Sequence, residues 1–358
     1  HKPLFSRALS LDPERLHFAA HSHHLWPDAS FDGHIRAWLE ANQHADRKWD
    51  RIFGEVVPEA QRHVAAELNL PSPDTVVFAP NTHDFLLRIF SGLARKPVRV
   101  LTTDGEFHAF RRQADRWQEA GEAVMTRIPL APFETFDARF VAAARTGEFD
   151  LIVISQVFFK TGQVFGPTDL SAVADRIFYV TGGYKYAMSG EGAGILHAPD
   201  GYCERPVTTG WFAEFGNLMG PPDGVQYRAD AGRFWGATFD ATALYRFNGV
   251  RRMLDGQGLT TAMIADHARG LMQQFGTAVI AGEAGRLAEA ERLNPLTNDL
   301  SRARFLAFRH PDAQAWRARL LDANVVTDVR DDTIRFGFGL YQDRADVDRL
   351  IAVCNRVL

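Results

Sequence analysis

Cysteine is scarce in this sequence, with two in 358 residues, Cys203 and Cys354. Two thiols cannot build a disulfide framework or a four-cysteine zinc site, and a reduced, cytoplasmic compartment is the expectation. An excess of one charge is also lacking. Lys plus Arg number 40 and Asp plus Glu 44, a formal net of −4. No electrostatic ground therefore exists for nucleic acid or an anionic membrane as partner. No apolar run approaches the ~20 residues of a membrane-spanning helix. Internal repeats and low-complexity tracts are missing too. The chain opens at His1 without methionine or a signal peptide, so its true start is expected upstream. The rest is ordinary: 46% hydrophobic and 23% charged residues, as in folded globular proteins. At roughly 100–200 residues per domain, the length suits two domains.

Short apolar runs alternate with amphipathic stretches through most of the first two thirds. Residues 74–79, 98–102, 124–128 and 151–159 read as strands, and 177–180 and 193–197 continue the set. Between them, 81–93, 107–120 and 136–145 read as helices. Strands this hydrophobic, separated by helices, predict an α/β fold with a mainly parallel central sheet and helices on both faces. The character changes near Leu244. Helical pattern over 243–254 and 260–275, strands at 304–308 and 333–338, and helices at 312–323 and 344–357 predict a small α+β C-terminal domain. The expected division is 1–245 and 246–358.

Ligands of such sheets bind at the carboxyl ends of the strands, often on helix N-termini. Asn81-Thr82 lies between a strand and a helix, and suits either a phosphate or a plain helix cap. Gly182-Gly183-Tyr184-Lys185 follows a strand and precedes a second glycine-rich turn, 189–194. A lysine there is either a surface loop residue or, partly desolvated, an amine of lowered pKa fit for Schiff-base chemistry. The glycine spacing matches neither a P-loop nor a dinucleotide fingerprint, because a strand follows where a helix should.

A strand, then Tyr184-Lys185, then a glycine-rich turn and strand resembles the lysine region of fold type I pyridoxal-phosphate enzymes. Within them it is most similar to class V aminotransferases, and among these to kynureninase. The resemblance implies a fold type I transferase-like architecture and pyridoxal 5'-phosphate as cofactor. It gives Lys185 the Schiff base and Tyr184 a phosphate contact. Asn81 and Thr82 fall where relatives bind phosphate. Glu106-Phe107-His108-Ala109 matches the segment whose ring stacks on the cofactor, with Phe107 the first choice and His108 the alternative. Residues 18–25, containing His21, Ser22 and His23, resemble the substrate-lining N-terminal segment. Phe159-Lys160-Thr161-Gly162, Gly210-Trp211-Phe212 and Arg233-Phe234-Trp235-Gly236-Ala237-Thr238 resemble further kynureninase segments. Trp211 and Thr238 inherit a reach into a neighbouring subunit's site, against the plainer readings of a core tryptophan and a helix cap. The run from Asp328 through Arg335-Phe336-Gly337 to Leu340-Tyr341 resembles the region whose arginine grips the substrate α-carboxylate. Arg335 takes that role, which a bidentate guanidinium suits. A strand arginine paired with Asp331 or Asp332 is the plainer alternative.

Two departures stand out. Relatives place serine or threonine two or three residues before the lysine, where this chain has Gly183 and Gly182. Fold type I enzymes also set an aspartate beside the pyridine nitrogen, keeping the ring an electron sink. It belongs just before the segment here written Pro167-Thr168-Asp169-Leu170, and a helix and strand on the order of 30 residues do not intervene. Asp169 matches a later, non-catalytic aspartate. The expectation is an omitted segment and a spatial gap between residues near 163 and 168.

The resemblance implies a homodimer with shared active sites. It implies hydrolysis of L-kynurenine, or a related aryl-carbonyl amino acid, to alanine and an aromatic acid, a reaction of tryptophan catabolism. A class V aminotransferase or epimerase-like enzyme is the rival. A metal-dependent hydrolase using His21 and His23 is a distant alternative, lacking further ligands at a defensible spacing. Cysteine desulfurase is disfavoured, because neither Cys203 nor Cys354 lies in an active-site-like loop.

Overall fold

A computed structural model of the chain describes residues 1–166, 170–214, 224–294 and 303–358. A short helix α1 (Ser6–Ser10) leads to a two-residue strand β1 (Leu16–His17) and then to α2 (Asp28–His44). Helix α3 (Lys48–Arg51) passes through a π turn, Ile52–Val56, into α4 (Val57–Leu68). Pro58 opens α4 and has no N–H for the preceding turn, which accounts for the irregular join. Alternation then begins: β2 (Val76–Ala79), α5 (Thr82–Ser91), β3 (Val98–Thr103), α6 (His108–Glu119), β4 (Ala123–Ile128), α7 (Phe136–Ala144), β5 (Leu151–Ile152), β6 (Tyr179–Gly182) and β7 (Gly194–His197). The remainder comprises α8 (Thr242–Gly256), α9 (Thr261–Ile280), β8 (Glu291–Arg292), β9 (Phe305–Arg309), α10 (Ala313–Asp322), β10 (Val325–Val326), β11 (Asp328–Arg330), β12 (Thr333–Gly337) and α11 (Arg344–Val357).

The strands at the centre form two three-stranded sheets. In one, β3 lies between β4 and β5 with all pairs parallel. In the other, β7 runs antiparallel to both β2 and β6, so those two share one direction. β5 and β6 each have one hydrogen-bonded neighbour among the described residues, and the Tyr179 hydroxyl donates to Gln156 Oε1 at 3.2 Å between their ends. The long strand expected over 151–159 is cut short. Its pairing with β3 ends at Val153, after which the buried Glu106 carboxylate accepts the Ser155 N–H at 3.1 Å. Chain 156–165 then folds back as a hairpin, with Val157 bridged to Val164. Residues 163–166 form its return arm, and Pro167, Thr168 and Asp169, where the expected gap falls, lie outside the described residues.

Helices α2 and α4 are additions to the elements expected from sequence. α2 crosses α8 at backbone distance: a Cβ on Gly33 would lie 2.6 Å from the Tyr245 carbonyl oxygen, and one on Gly249 2.8 Å from that of Ala29. One core gathers β2, β7, α4, α5 and α8 around Phe78, Phe85, Phe212 and Phe234. Another joins α9, α10 and α11 to the sheet β11-β12-β9-β8 around Phe275, Trp316 and Phe336. The N-terminal segment enters this second core. Leu16 and Phe18 are buried in it, β1 pairs in parallel with β10, and Ala19 bridges to Gly337. Asp343 and Asp346 form a capping box at the start of α11. No helix among the described residues is long and apolar enough to cross a membrane.

Phe275 is fully buried at the centre of the second core, whereas Ile280, later on the same helix, is 75% exposed. Phe275→Ala should destabilise the protein by about 3–5 kcal/mol in urea unfolding, and Ile280→Ala by no more than about 0.5 kcal/mol. Similar losses for the two would show that this core does not bear on stability as described.

Candidate active site

The lysine turn is fixed by sterics. A Cβ on Gly183 would fall 2.1 Å from Ser189 Oγ, and one on Gly194 2.6 Å from the Asn81 carbonyl carbon. That packing explains why glycine stands at Gly183. It also presses the turn against the start of α5. Lys185 Nζ lies 5.8 Å from the centre of the Phe107 ring and 5.5 Å from that of Tyr184. Burial lowers its pKa, the positive charges of Arg335 and Arg330 add to this, and Asp328 opposes. Tyr184 is pushed the other way, chiefly by burial.

Arg335 is carried by β12 and is 4% exposed. Its guanidinium pairs with Asp328 and donates to the Phe159 carbonyl oxygen, while its Nε has no partner. The plainer pairing expected with Asp331 or Asp332 is not the one formed. β11 and β12 are joined by a two-residue turn, so the register sets Asp328 directly opposite Arg335. Asp331 and Asp332 occupy the turn and hold Lys160 instead, at 3.0 and 3.6 Å. Arg330 also reaches Asp328, at 2.7 Å.

His21 is buried against this pair. Its ring stacks on Phe305 with centroids 4.5 Å apart, and Nε2 stands 3.7 Å from Asp328. Neither ring nitrogen has a hydrogen bond. Burial first, then Arg335 and Lys185, hold the imidazole well below its usual pKa, so it is neutral. Ser22 is half-buried in a turn whose N–H bonds to the Ala19 carbonyl. His23 is exposed, 3.4 Å from Glu191 and 5.9 Å, ring to ring, from Tyr184. His21 and His23 thus turn to different partners. Among the described residues no three His, Cys, Asp or Glu side chains gather as a metal site.

Phe107 caps α6 and His108 is its first residue. Both rings abut Phe159, at 5.3 and 5.1 Å, and Phe107 is the one that faces Lys185. His108 Nδ1 is instead within 3.0 Å of Arg111. The Asn81 side chain caps α5 by accepting the Asp84 N–H at 3.0 Å, the plainer of its two readings. Thr82 lies beside the lysine turn, its methyl 3.8 Å from where a Gly182 Cβ would be. Next to it, His83 Nδ1 is buried without a partner. Trp211 Nε1 donates to the Thr238 hydroxyl at 3.3 Å, and both side chains are exposed.

Lys185, Tyr184, Phe107, Arg335 and His21 therefore converge, with His23 at the rim. Asp328, Phe305 and Phe159 complete the cluster but have no role in the sequence reading. Counting back across the two-residue turn from Arg335 would have found Asp328. The cofactor implied by the resemblance fits three features: an amine of lowered pKa, a ring wall, and the α5 start, where His83 Nδ1 is buried without a partner. Among the described residues the one carboxylate whose charge acts on Lys185 is Asp328.

Residues 272–354 match the family model of the kynureninase C-terminal domain. No curated protein matches the chain significantly. Among solved structures, one similar to it is a mutant of C-DES with glycine linked to its PLP cofactor, at 15% identity and a TM-score of 0.80 over 100% of both chains. A cysteine desulfurase from Thermococcus onnurineus NA1 matches at 16% identity and a TM-score of 0.77, over 97% of this chain and 95% of that one. The Escherichia coli cysteine desulfurase CsdA matches at 16% and 0.73, over 100% and 98%. Likeness at this level over whole chains establishes the architecture: the chain has the fold of these structures, the fold type I arrangement expected from its sequence.

Proposed function

We propose that the protein binds pyridoxal 5'-phosphate through Lys185 and hydrolyses L-kynurenine, or a related aryl-carbonyl amino acid, to alanine and an aromatic acid. The observation that carries this is the placement of Arg335, inside the stretch matching the kynureninase C-terminal domain, where its charge acts on the buried Lys185 amine. The bound cofactor would supply an electron sink conjugated to the substrate Cα. Lys185 Nζ holds the cofactor, and once free moves the Cα proton as acid and base. Arg335 fixes the α-carboxylate, and Asp328 holds Arg335 in place. Phe107, Phe159 and Tyr184 provide flat apolar surface, and the neutral His21 and the rim residues Ser22 and His23 suit the aromatic end of a substrate. Net hydrolysis places the hydroxyl of water on the side-chain carbonyl carbon and its proton on Cβ as the Cβ–Cγ bond breaks.

Thr82 and the backbone of Asn81 at the α5 start, with Tyr184, are the phosphate contacts in this reading, the Asn81 side-chain oxygen being taken by the Asp84 N–H, and His108 supports Phe107. A second copy of the chain is the partner. The exposed Trp211 and Thr238 would reach its site, and Phe31, Ile35, Trp38 and Leu39 form an exposed apolar stripe on α2 for it to cover.

Amino-acid C–S cleavage is a second reading, favoured by the full-length likeness to C-DES. A desulfurase needing a cysteine nucleophile is disfavoured by both thiols. Cys354 is buried in α11 with burial pushing it up to about 12, and Cys203 is raised by burial and packs on Gly92 and the Ile89 carbonyl.

Four outcomes are expected. Protein reconstituted with pyridoxal phosphate should release fluorescent anthranilate from L-kynurenine; cysteine persulfide from cystine without anthranilate would overturn the hydrolase in favour of C–S cleavage. Borohydride reduction should leave the pyridoxyl mass on the peptide containing Lys185, and none in Lys185→Ala. Because the amine is shifted below 10.5, its neutral form persists to lower pH, and the attachment rate should reach half its maximum below pH 10.5. Arg335→Gln should raise KM for L-kynurenine about 10–100-fold, the equivalent of about 1.5–3 kcal/mol, with a smaller change in kcat. An unchanged KM would remove Arg335 from substrate binding.

A further inference from the structure

Away from Lys185, a cleft of about 320 Å³ opens between the N-terminal segment and α11. That volume falls at the lower end of small-molecule sites. Apolar surface comes from Leu9, Pro13, Leu16, Phe18 and Leu25. The charged groups on the walls are nearly all matched. Lys2 lies 2.9 Å from both Asp343 and Asp346, and Arg349 3.1 Å from Glu14. Asp12 accepts from the Asn324 amide and from the Arg15 backbone N–H.

Among the cations of the walls the exception is the Arg15 side chain. It is half-buried in the cleft wall, and its guanidinium has no ion-pair or hydrogen-bond partner among the described residues. Its charge acts on His17 and Tyr341, which share a hydrogen bond of 2.6 Å at the cleft floor. His17 is held down to about 3 by burial first, then by His24 and Arg15, so it adds no second cation. One unmatched guanidinium facing an apolar hollow calls for one negative charge on an apolar body. Asp12 and Asp346 on the walls oppose a second negative charge.

We propose that this cleft is a binding site for a small monocarboxylate with an apolar body, its carboxylate on Arg15 and its body against Leu9, Leu16 and Leu25. The proposal is independent of the reading of Lys185. Benzoate is a suitable probe and benzamide its neutral isostere, both titrated calorimetrically into the full chain. Benzoate should bind once per chain, keep its affinity in Arg335→Gln, and weaken at least tenfold in Arg15→Gln. Benzamide should bind at least tenfold more weakly than benzoate. Arg15 has no partner to lose, so Arg15→Gln should keep the wild-type Tm, and Arg15→Lys should recover part of the affinity. No saturable binding, equal affinity in Arg15→Gln, equal binding of benzamide, or loss in Arg335→Gln would each overturn the proposal, the last by assigning benzoate to the Lys185 site.

Discussion

A guanidinium removed from water must be matched by an anion, and at Arg335 that anion is Asp328. Much of the site's geometry follows from this one pair. It is set by the two-residue turn of the β11-β12 hairpin, which stands the two residues directly opposite each other. It draws in the Phe159 carbonyl from the hairpin that follows β5 and brings the edge of His21 alongside. It also offsets the two arginine charges that bear on the lysine amine. Removing one partner of such a pair leaves an uncompensated buried charge, which is far more costly than losing both. The ion pair, with the bond from Arg335 to the Phe159 carbonyl, therefore ties the β11-β12 hairpin to the chain that follows β5.

The fold was legible in outline because its signals are local. Hydrophobic runs between amphipathic helices marked β2 to β4 and α5 to α7, and α11 falls on the residues expected for it. What escaped the sequence depends on contacts made far along the chain. The expected strand 151–159 stops early because Glu106, remote in sequence, occupies the Ser155 N–H. α2 is polar overall and exposes several large apolar residues, so its apolar spacing does not point to a single core. Its close crossing with α8 is visible only in the steric need for Gly33 and Gly249.

The site divides the same way. Lys185 and Tyr184 could be placed because a strand end and two glycine turns frame them. Arg335 was placed through its motif, but its partner was not, since three aspartates lie within a few residues and the turn geometry decides among them. Phe107 rather than His108 faces the lysine, a distinction set by the helix start, where one ring points back over the turn and the other out to solvent. Asn81 turned out to be occupied by its own helix, which leaves Thr82 and the neighbouring His83 as the open groups.

The N-terminal segment supplies part of the C-terminal core, and this shapes how the chain can assemble. Leu16 pairs with Val325, and Phe18 is covered by residues near the other end of the sequence. During synthesis those side chains wait for about 300 further residues before their partners exist, as the pairing of Leu16 with Val325 requires. The β3-β4-β5 sheet, built from neighbours in sequence, has no such delay. Leu16 and Phe18 thus leave the ribosome long before they can be buried, and they carry His21 with them.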